Sequence, residues 1–238
     1  MPTLLHYLQL PFHFNAQLLQ EEVGRLDFVD WKQHYQKLHY EGDWTAIPLR
    51  SANGEAGNIF IAATNNQNYS DTVFLKESSY FKDILSTFKC PLKSVRLMKL
   101  NAGAVIKEHR DIELNYENGE IRIHIPVVTH PDVEFYLQEE RIHMKEGECW
   151  YLNFNLPHRV TNNSSVNRVH LVIDAEVNDW VKELFSQQGL LKKEEDEREI
   201  VYDDATKLQM IKLFRQMNTE TGNRMADELE QTLFTKNS

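Results

Sequence analysis

Residues 94–175 read SVRLMKLNAGAVIKEHRDIELNYENGEIRIHIPVVTHPDVEFYLQEERIHMKEGECWYLNFNLPHRVTNNSSVNRVHLVIDA, and the period of this stretch decides the fold. Segments 94–100, 105–110, 121–128, 133–137, 141–144, 149–154, 158–161 and 167–175 are rich in Val, Ile, Phe, Tyr and Trp, at a period of two. Gly103, Asn118-Gly119, Pro131, Gly147, Pro157 and Asn162-Asn163-Ser164-Ser165 punctuate them. Short strands at regular spacing between turn signals predict a sandwich or barrel, and eight is the jelly-roll count. The alternative, one open meander, would leave long edges that need covering.

Working outward, the flanks change period. Residues 3–9 predict a short strand ending at Pro11. Asn15 is placed to cap a helix whose apolar positions Leu19, Val23 and Leu26 recur at helical spacing. A second helix is expected around Trp31 to Leu38, and Trp44–Ser51 turns irregular and strand-like. Tyr80, Phe81, Ile84, Leu85 and Phe88 give a helix over 78–88 that Pro91 stops. On the C-terminal side, the run 192–199 (KKEEDERE) is a solvated linker or exposed helix. Met210, Leu213, Phe214 and Met217, then Ala226, Leu229 and Leu233, predict two further helices. The expected organisation is therefore a mainly β domain with flanking helices over 1–185, and a charged segment with a helical appendage over 186–238. That appendage packs on the barrel or serves as a lid or homodimer surface. There is no internal repeat.

Composition narrows the function classes. The 238 residues suffice for one domain with a core and an appendage, and 41% hydrophobic with 26% charged residues is ordinary for a globular protein. A net charge of −10 repels phosphate backbones and argues against nucleic acid. No apolar run reaches eighteen residues, so no membrane span is expected, and the N-terminus lacks the basic leader of a signal peptide. Cys90 and Cys149 form no zinc pattern or disulfide framework, which fits a reduced cytoplasm.

The chemistry concentrates in few residues. His109 and Asp111 are two apart, so on a strand they point to one face. His158 follows Asp111 by 47 residues, enough for the chain to leave, build several strands and return. Two imidazoles and one carboxylate make the three-ligand face that holds non-haem Fe(II) and leaves positions free for a co-substrate and O₂. The turn at 162–165 is expected to fold strand 167–175 back on 158–161, setting Arg168 nearly opposite His158, about 5 Å away or 7–8 Å on a diagonal. A dicarboxylate such as 2-oxoglutarate, chelating the metal at one end, then reaches a guanidinium whose fork matches a carboxylate. In Ile121-Arg122-Ile123-His124-Ile125-Pro126 the isoleucines share one face, and Arg122 and His124 the other. An ordinary amphipathic strand would place Arg122 in water. A ligand-binding barrel inverts this, with apolar residues packed outward on helices and Arg122 inside as a candidate for a carboxylate. His170 and Asp174 share Arg168's face and are candidates for supporting roles. Trp31, Tyr35, Tyr40 and Trp44 line the mouth or fill the core.

These pieces resemble the aspartyl/asparaginyl β-hydroxylase family of Fe(II)- and 2-oxoglutarate-dependent dioxygenases. The similar stretches are Gly103 with His109-Arg110-Asp111, Arg122-Ile-His124-Ile-Pro126, Gly147-Glu-Cys-Trp150-Tyr-Leu, Pro157-His158, Arg168-Val-His-Leu-Val-Ile-Asp174 and, upstream, Trp44 to Ser51. They cover roughly 40–180. The resemblance implies a double-stranded β-helix, a cupin-like jelly roll, with iron on His109, Asp111 and His158. It further implies the distal carboxylate of 2-oxoglutarate on Arg168, its other end near His124, and the substrate's carboxylate on Arg122. The animal peptide hydroxylases of the family have glycine where Asp111 stands, whereas bacterial proline-type hydroxylases keep the carboxylate, as this chain does. The expected reaction is hydroxylation of a small amino acid with O₂, releasing succinate and CO₂, with ascorbate as a stimulant. A peptidyl Asp/Asn hydroxylase, a zinc hydrolase on the same three residues and a non-enzymatic ligand-binding barrel are the alternatives.

Overall fold

The computed structural model describes residues 5–60, 68–187, 204–216 and 220–234. Its strands are β1 (Tyr7–His13), β2 (Lys32–Gln33), β3 (Tyr40–Glu41), β4 (Trp44–Ala52), β5 (Tyr69–Asp71), β6 (Leu92–Leu100), β7 (Val105–His109), β8 (Glu120–Val128), β9 (Val133–Leu137), β10 (Glu140–Arg141), β11 (Glu148–Leu152), β12 (His158–Asn162) and β13 (Arg168–Glu176). The helices are α1 (Ala16–Gly24), α2 (Val73–Glu77), α3 (Ser79–Ser86), α4 (Asp179–Gln187), α5 (Asp204–Gln216) and α6 (Glu220–Phe234). The chain divides into two compact units, Met1–Leu191 and Lys192–Ser238.

Two antiparallel sheets form the jelly roll. The larger runs β1-β11-β8-β13-β6-β4-β2 with β5 on β4, and the smaller runs β10-β9-β12-β7-β3. Seven of the eight strand segments expected between 94 and 175 form strands, β6, β8, β11 and β13 in the large sheet and β7, β9 and β12 in the small one, whereas over 141–144 only Arg141, the end of β10, is in a strand. The isoleucine face of β8 does pack outward. Ile121, Ile123 and Ile125, none more than 1% exposed, join Leu19 and Val23 of α1, Phe81 and Ile84 of α3 and Phe185 of α4 in one core. Burying each isoleucine contributes roughly 1.5–3 kcal/mol. The second core lies around Ile106, Phe135, Trp150, Leu152, Phe154 and Val160. Arg122 and His124, on the inner face of β8, are buried as well.

Several expectations are corrected. The first strand begins at Tyr7 and runs through Pro11, with an irregular register between Leu10 and His13 that accommodates the ring. No helix forms over 31–38. That stretch holds β2 and a single 3₁₀ turn, Lys37–His39. Trp44 to Ser51 lies in a largely buried strand whose register with β6 shifts between Pro48 and Arg50, and helix α2 was unexpected. The hairpin between 158–161 and 167–175 does not form. β12 pairs with β7 and β9 in the small sheet, whereas β13 pairs with β6 and β8 in the large one. The cause is Asn162, whose buried amide donates to the carbonyls of Leu100, Asn101 and Val166 while its Oδ1 accepts from Ser164. The turn chemistry thus anchors a crossing between sheets.

Asn15 caps α1 as expected, its side chain accepting from the Leu18 N–H, and Leu19, Val23 and Leu26 are buried. Gly147 adopts φ +80°, and a Cβ there would lie 2.2 Å from the Phe14 carbonyl oxygen, so only glycine fits this entry to β11. In the second unit α5 and α6 pack together, with Arg215 bonded to Asp227 and Glu230. Ile211 is buried there while Leu213 is exposed, against the expected stripe. The run 192–199, Met217 and the Leu233 side chain lie outside the described residues. Among those residues no helix is long and apolar enough to cross a membrane.

Candidate functional site

His109 ends β7 and His158 begins β12, and the two are direct cross-strand partners with ring centroids 4.2 Å apart. Asp111 lies past the end of β7, so strand alternation does not place it. Its N–H donates to the Phe154 carbonyl at 2.9 Å, which turns the carboxylate back on the histidines. One ligand atom from each of His109, Asp111 and His158 lies within 4.8 Å of the others. Both rings are oriented alike. Nδ1 of His109 faces the Lys107 carbonyl at 2.8 Å, and Nδ1 of His158 that of Leu156 at 3.0 Å. A carbonyl only accepts, so each Nδ1 carries the proton and each Nε2 keeps its lone pair. Burial, with His109 beside it, pushes the His158 pKa down to about 4, so the ring is neutral near pH 7. Burial alone would raise the Asp111 carboxyl, but the Arg122 guanidinium and the two imidazoles hold it below its ordinary value. Two lone pairs and a carboxylate are a donor set that fits a divalent transition metal.

Arg122 reaches this carboxylate from β8. Its Nη1 donates to Asp111 Oδ2 at 2.5 Å, while Nε and Nη2 grip both oxygens of Asp174 at 2.6 and 3.2 Å. Burial works against the Arg122 charge, but Asp174 and Asp111 outweigh it and raise its pKa. Asp174 also accepts from Arg96 Nη2 at 3.1 Å, and Arg96 Nε has no partner.

Arg168 differs from both. It is 3% exposed, makes no ion pair among the described residues, and burial pushes its pKa down to about 9. Its Nη2 meets His170 Nδ1 at 2.9 Å, and its Nε is unpartnered. A buried cation without a counter-ion is costly, which marks the place as one built for an anion. His170 Nδ1 also lies 3.2 Å from Nδ1 of His124, a ring stacked on Phe154 with its Nε2 unpartnered.

One cavity collects these groups. His109, Asp111, Arg122, His124, His158 and Arg168 all line it, with Arg96, His34, Tyr35, Gln36, Trp44, Phe135 and Phe154. Arg168 therefore faces His158 from the opposite sheet, not from a neighbouring strand as expected. Of the four aromatics, Tyr35 and Trp44 line the cavity. Tyr40 packs edge-on against Trp44, and Trp31 carries the Lys99 ammonium on its ring. The sequence reading missed Arg96 and His34. Arg96 had a signal, since Val95-Arg96-Leu97 repeats the pattern of Ile121-Arg122-Ile123. His34 had none. It stacks on Trp44 at 3.6 Å, and burial, with Arg96 and Arg122 nearby, pushes its pKa to about 3.

The family model for aspartyl/asparaginyl beta-hydroxylases matches residues 13–177. The chain is 26% identical to the L-proline cis-4-hydroxylase of Rhizobium meliloti (strain 1021) over 165 residues, covering 68% of this chain and 58% of that one. It is 27% identical to L-proline cis-3-hydroxylase 2 of a Streptomyces species over 137 residues, covering 56% and 47%. It thus spans about half the length of the curated relatives it matches. A prolyl-4-hydroxylase structure from Pseudomonas putida aligns over 74% of this chain and 94% of that one with a TM-score of 0.46 and 13% identity, too slight a likeness to carry an argument.

Proposed function

We propose, for a chain that belongs to the aspartyl/asparaginyl β-hydroxylase family, an Fe(II)- and 2-oxoglutarate-dependent hydroxylation of a small amino acid. The observation that carries this reading is one cavity holding both a His-Asp-His set, with each imidazole Nε2 left bare, and a buried guanidinium without a counter-ion. His109, Asp111 and His158 hold the metal, and Arg168 takes the distal carboxylate of 2-oxoglutarate. His124 stands at the co-substrate's other end. Arg122 uses the N–H groups that Asp111 and Asp174 leave over to hold the substrate's carboxylate, and so presents one C–H bond to the metal.

Charge supports this assignment. Three buried guanidiniums, Arg96, Arg122 and Arg168, face two carboxylates, Asp111 and Asp174. A divalent ion adds to the excess, and a dianionic co-substrate plus a substrate carboxylate match it. Bound Fe(II) supplies the redox chemistry that couples loss of CO₂ from 2-oxoglutarate to hydroxylation, one oxygen atom of O₂ ending in succinate and the other in the product. The protein orients both organic partners and keeps bulk water out behind Trp44, Tyr35 and Phe154. The hydrolase alternative is disfavoured because, among the described residues, Asp111 is the only carboxylate lining the cavity, with no second one there to act as a base.

The test is succinate release from 2-oxoglutarate with Fe(II) and ascorbate, screened against free L-amino acids and Asp/Asn peptides. Stimulation by one amino acid, with a product heavier by one oxygen, is the expected result. Stimulation by peptides alone transfers the reading to peptidyl substrates. No succinate from folded, iron-loaded protein refutes it.

A further inference from the structure

Resting on the reading above, we propose that His170 couples the two ends of the co-substrate site, so that a carboxylate taken up by Arg168 converts His124 from a hydrogen-bond acceptor into a donor. A guanidinium can only donate, so His170 Nδ1, 2.9 Å from Arg168 Nη2, is a bare acceptor and the His170 proton sits on Nε2. The same Nδ1 lies 3.2 Å from His124 Nδ1. Only His124 has a proton to give there, so its own proton is on Nδ1. Its Nε2, which has no partner, is left as a lone pair at the metal-site cavity.

Both rings are buried, at 6% and 1% exposure. Burial first, and Arg168 next, hold both well below the ordinary histidine range, so neither ring gains a second proton to escape the constraint.

A lone pair repels a carboxylate. For His124 to donate to the co-substrate, its proton must stand on Nε2 and its Nδ1 must become the acceptor. His170 must then carry its proton on Nδ1, and an N–H there cannot face the Arg168 N–H at 2.9 Å. The guanidinium has to turn from His170 toward another acceptor, and the distal carboxylate of 2-oxoglutarate is that acceptor. Each ring exchanges one tautomer for the other, and no net proton is taken up or released. His170 lines a second cavity behind Arg168 but not the cavity of the metal ligands. It is therefore a positioning residue, acting through its neighbours.

The test reads tautomers directly, by nitrogen NMR of protein labelled with ¹⁵N-histidine and loaded with Zn(II) as a diamagnetic stand-in. In the free protein His124 should carry its proton on Nδ1 and His170 on Nε2. Both should invert with 2-oxoglutarate, and neither with 2-oxopentanoate, which lacks the distal carboxylate. In His170→Phe the preference for 2-oxoglutarate over 2-oxopentanoate should narrow about tenfold, the worth of one hydrogen bond. His170→Asn, whose amide accepts and donates at once, should recover 2-oxoglutarate affinity without the lost discrimination, which a merely structural role for His170 would not produce. An Nε2 proton on His124 in the free protein, or inversion by both ligands alike, overturns the relay. If 2-oxoglutarate leaves the His109 and His158 signals unmoved, the proposed function falls with it, whereas bound 2-oxoglutarate without inversion refutes the relay alone.

Discussion

Replacing Arg168 by methionine should make the ligand-free protein more stable while removing its response to 2-oxoglutarate. The guanidinium is 3% exposed and without an ion pair among the described residues. The fall of its pKa from 12.5 to about 9 corresponds to roughly 5 kcal/mol of unfavourable burial. Methionine removes that cost and keeps an apolar stem of similar reach. Against this stand the lost bond to His170 and a bare Nδ1, together about 1–3 kcal/mol. The balance is a gain of roughly 2–4 kcal/mol at pH 7, or about 4–16 °C in Tm. Urea denaturation followed by tryptophan fluorescence measures it. With Zn(II) and 2-oxoglutarate at about a thousand times its Kd, the wild type should gain about 4.1 kcal/mol and the variant nothing comparable, so the variant's advantage is cancelled or reversed. A variant less stable than wild type without ligand, or equally stabilised by it, refutes the argument that Arg168 is an unpaired cation held for an anion.

His158→Ala should lose bound iron, measured by metal analysis after gel filtration, and with it succinate formation; full activity at limiting iron would sink the three-ligand assignment. Gly147→Ala should cost about 3 kcal/mol or more in chemical denaturation, since a Cβ 2.2 Å from the Phe14 carbonyl oxygen forces backbone movement at a positive φ. A change within 0.5 kcal/mol would mean that the turn yields freely. Stability should fall as pH drops below 6.5, because the unfolded chain protonates His34 near 6.5 while the folded pKa is about 3. This one group steepens the fall by at most about 1.4 kcal/mol per pH unit. His34→Phe should flatten the profile between pH 6.5 and 3, and an unchanged slope would show that His34 takes up its proton in the fold.

The strands of the jelly roll were legible because period two and turn residues are local signals, and β6 to β13 carry both. What strand pairs with what was not. Asn162-Asn163-Ser164-Ser165 has the composition of a hairpin turn, and only the Asn162 amide fastened to the end of β6 shows that the chain changes sheets there. β2 and β3 are two residues long and owe their conformation to β4 and β7, so nothing in their own sequence announces them. His109, Asp111, His158 and Arg168 stood out by residue type and line one cavity, but the strand alternation expected to place Asp111 and the hairpin expected to place Arg168 do not form. His34 was hidden because its segment has no period, and its ring lines the cavity stacked on Trp44.

The inversion of β8 explains why this fold can hold such a site at all. An antiparallel strand with one apolar face ordinarily gives the other to water. Here the isoleucine face is covered by α1, α3 and α4, so the polar face turns into the barrel and its arginine becomes a buried charge. Asp174 on the neighbouring β13 makes that tolerable for Arg122 and Arg96 together, and Arg122 in turn fixes Asp111 beside the histidines. Among the described residues no such neighbour serves Arg168. The same architecture that pairs two guanidiniums with Asp174 leaves the third without a counter-ion among the described residues. Under the proposed function, binding and folding are set against each other at one residue, and Arg168 is where a stabilising substitution and a functional loss should coincide.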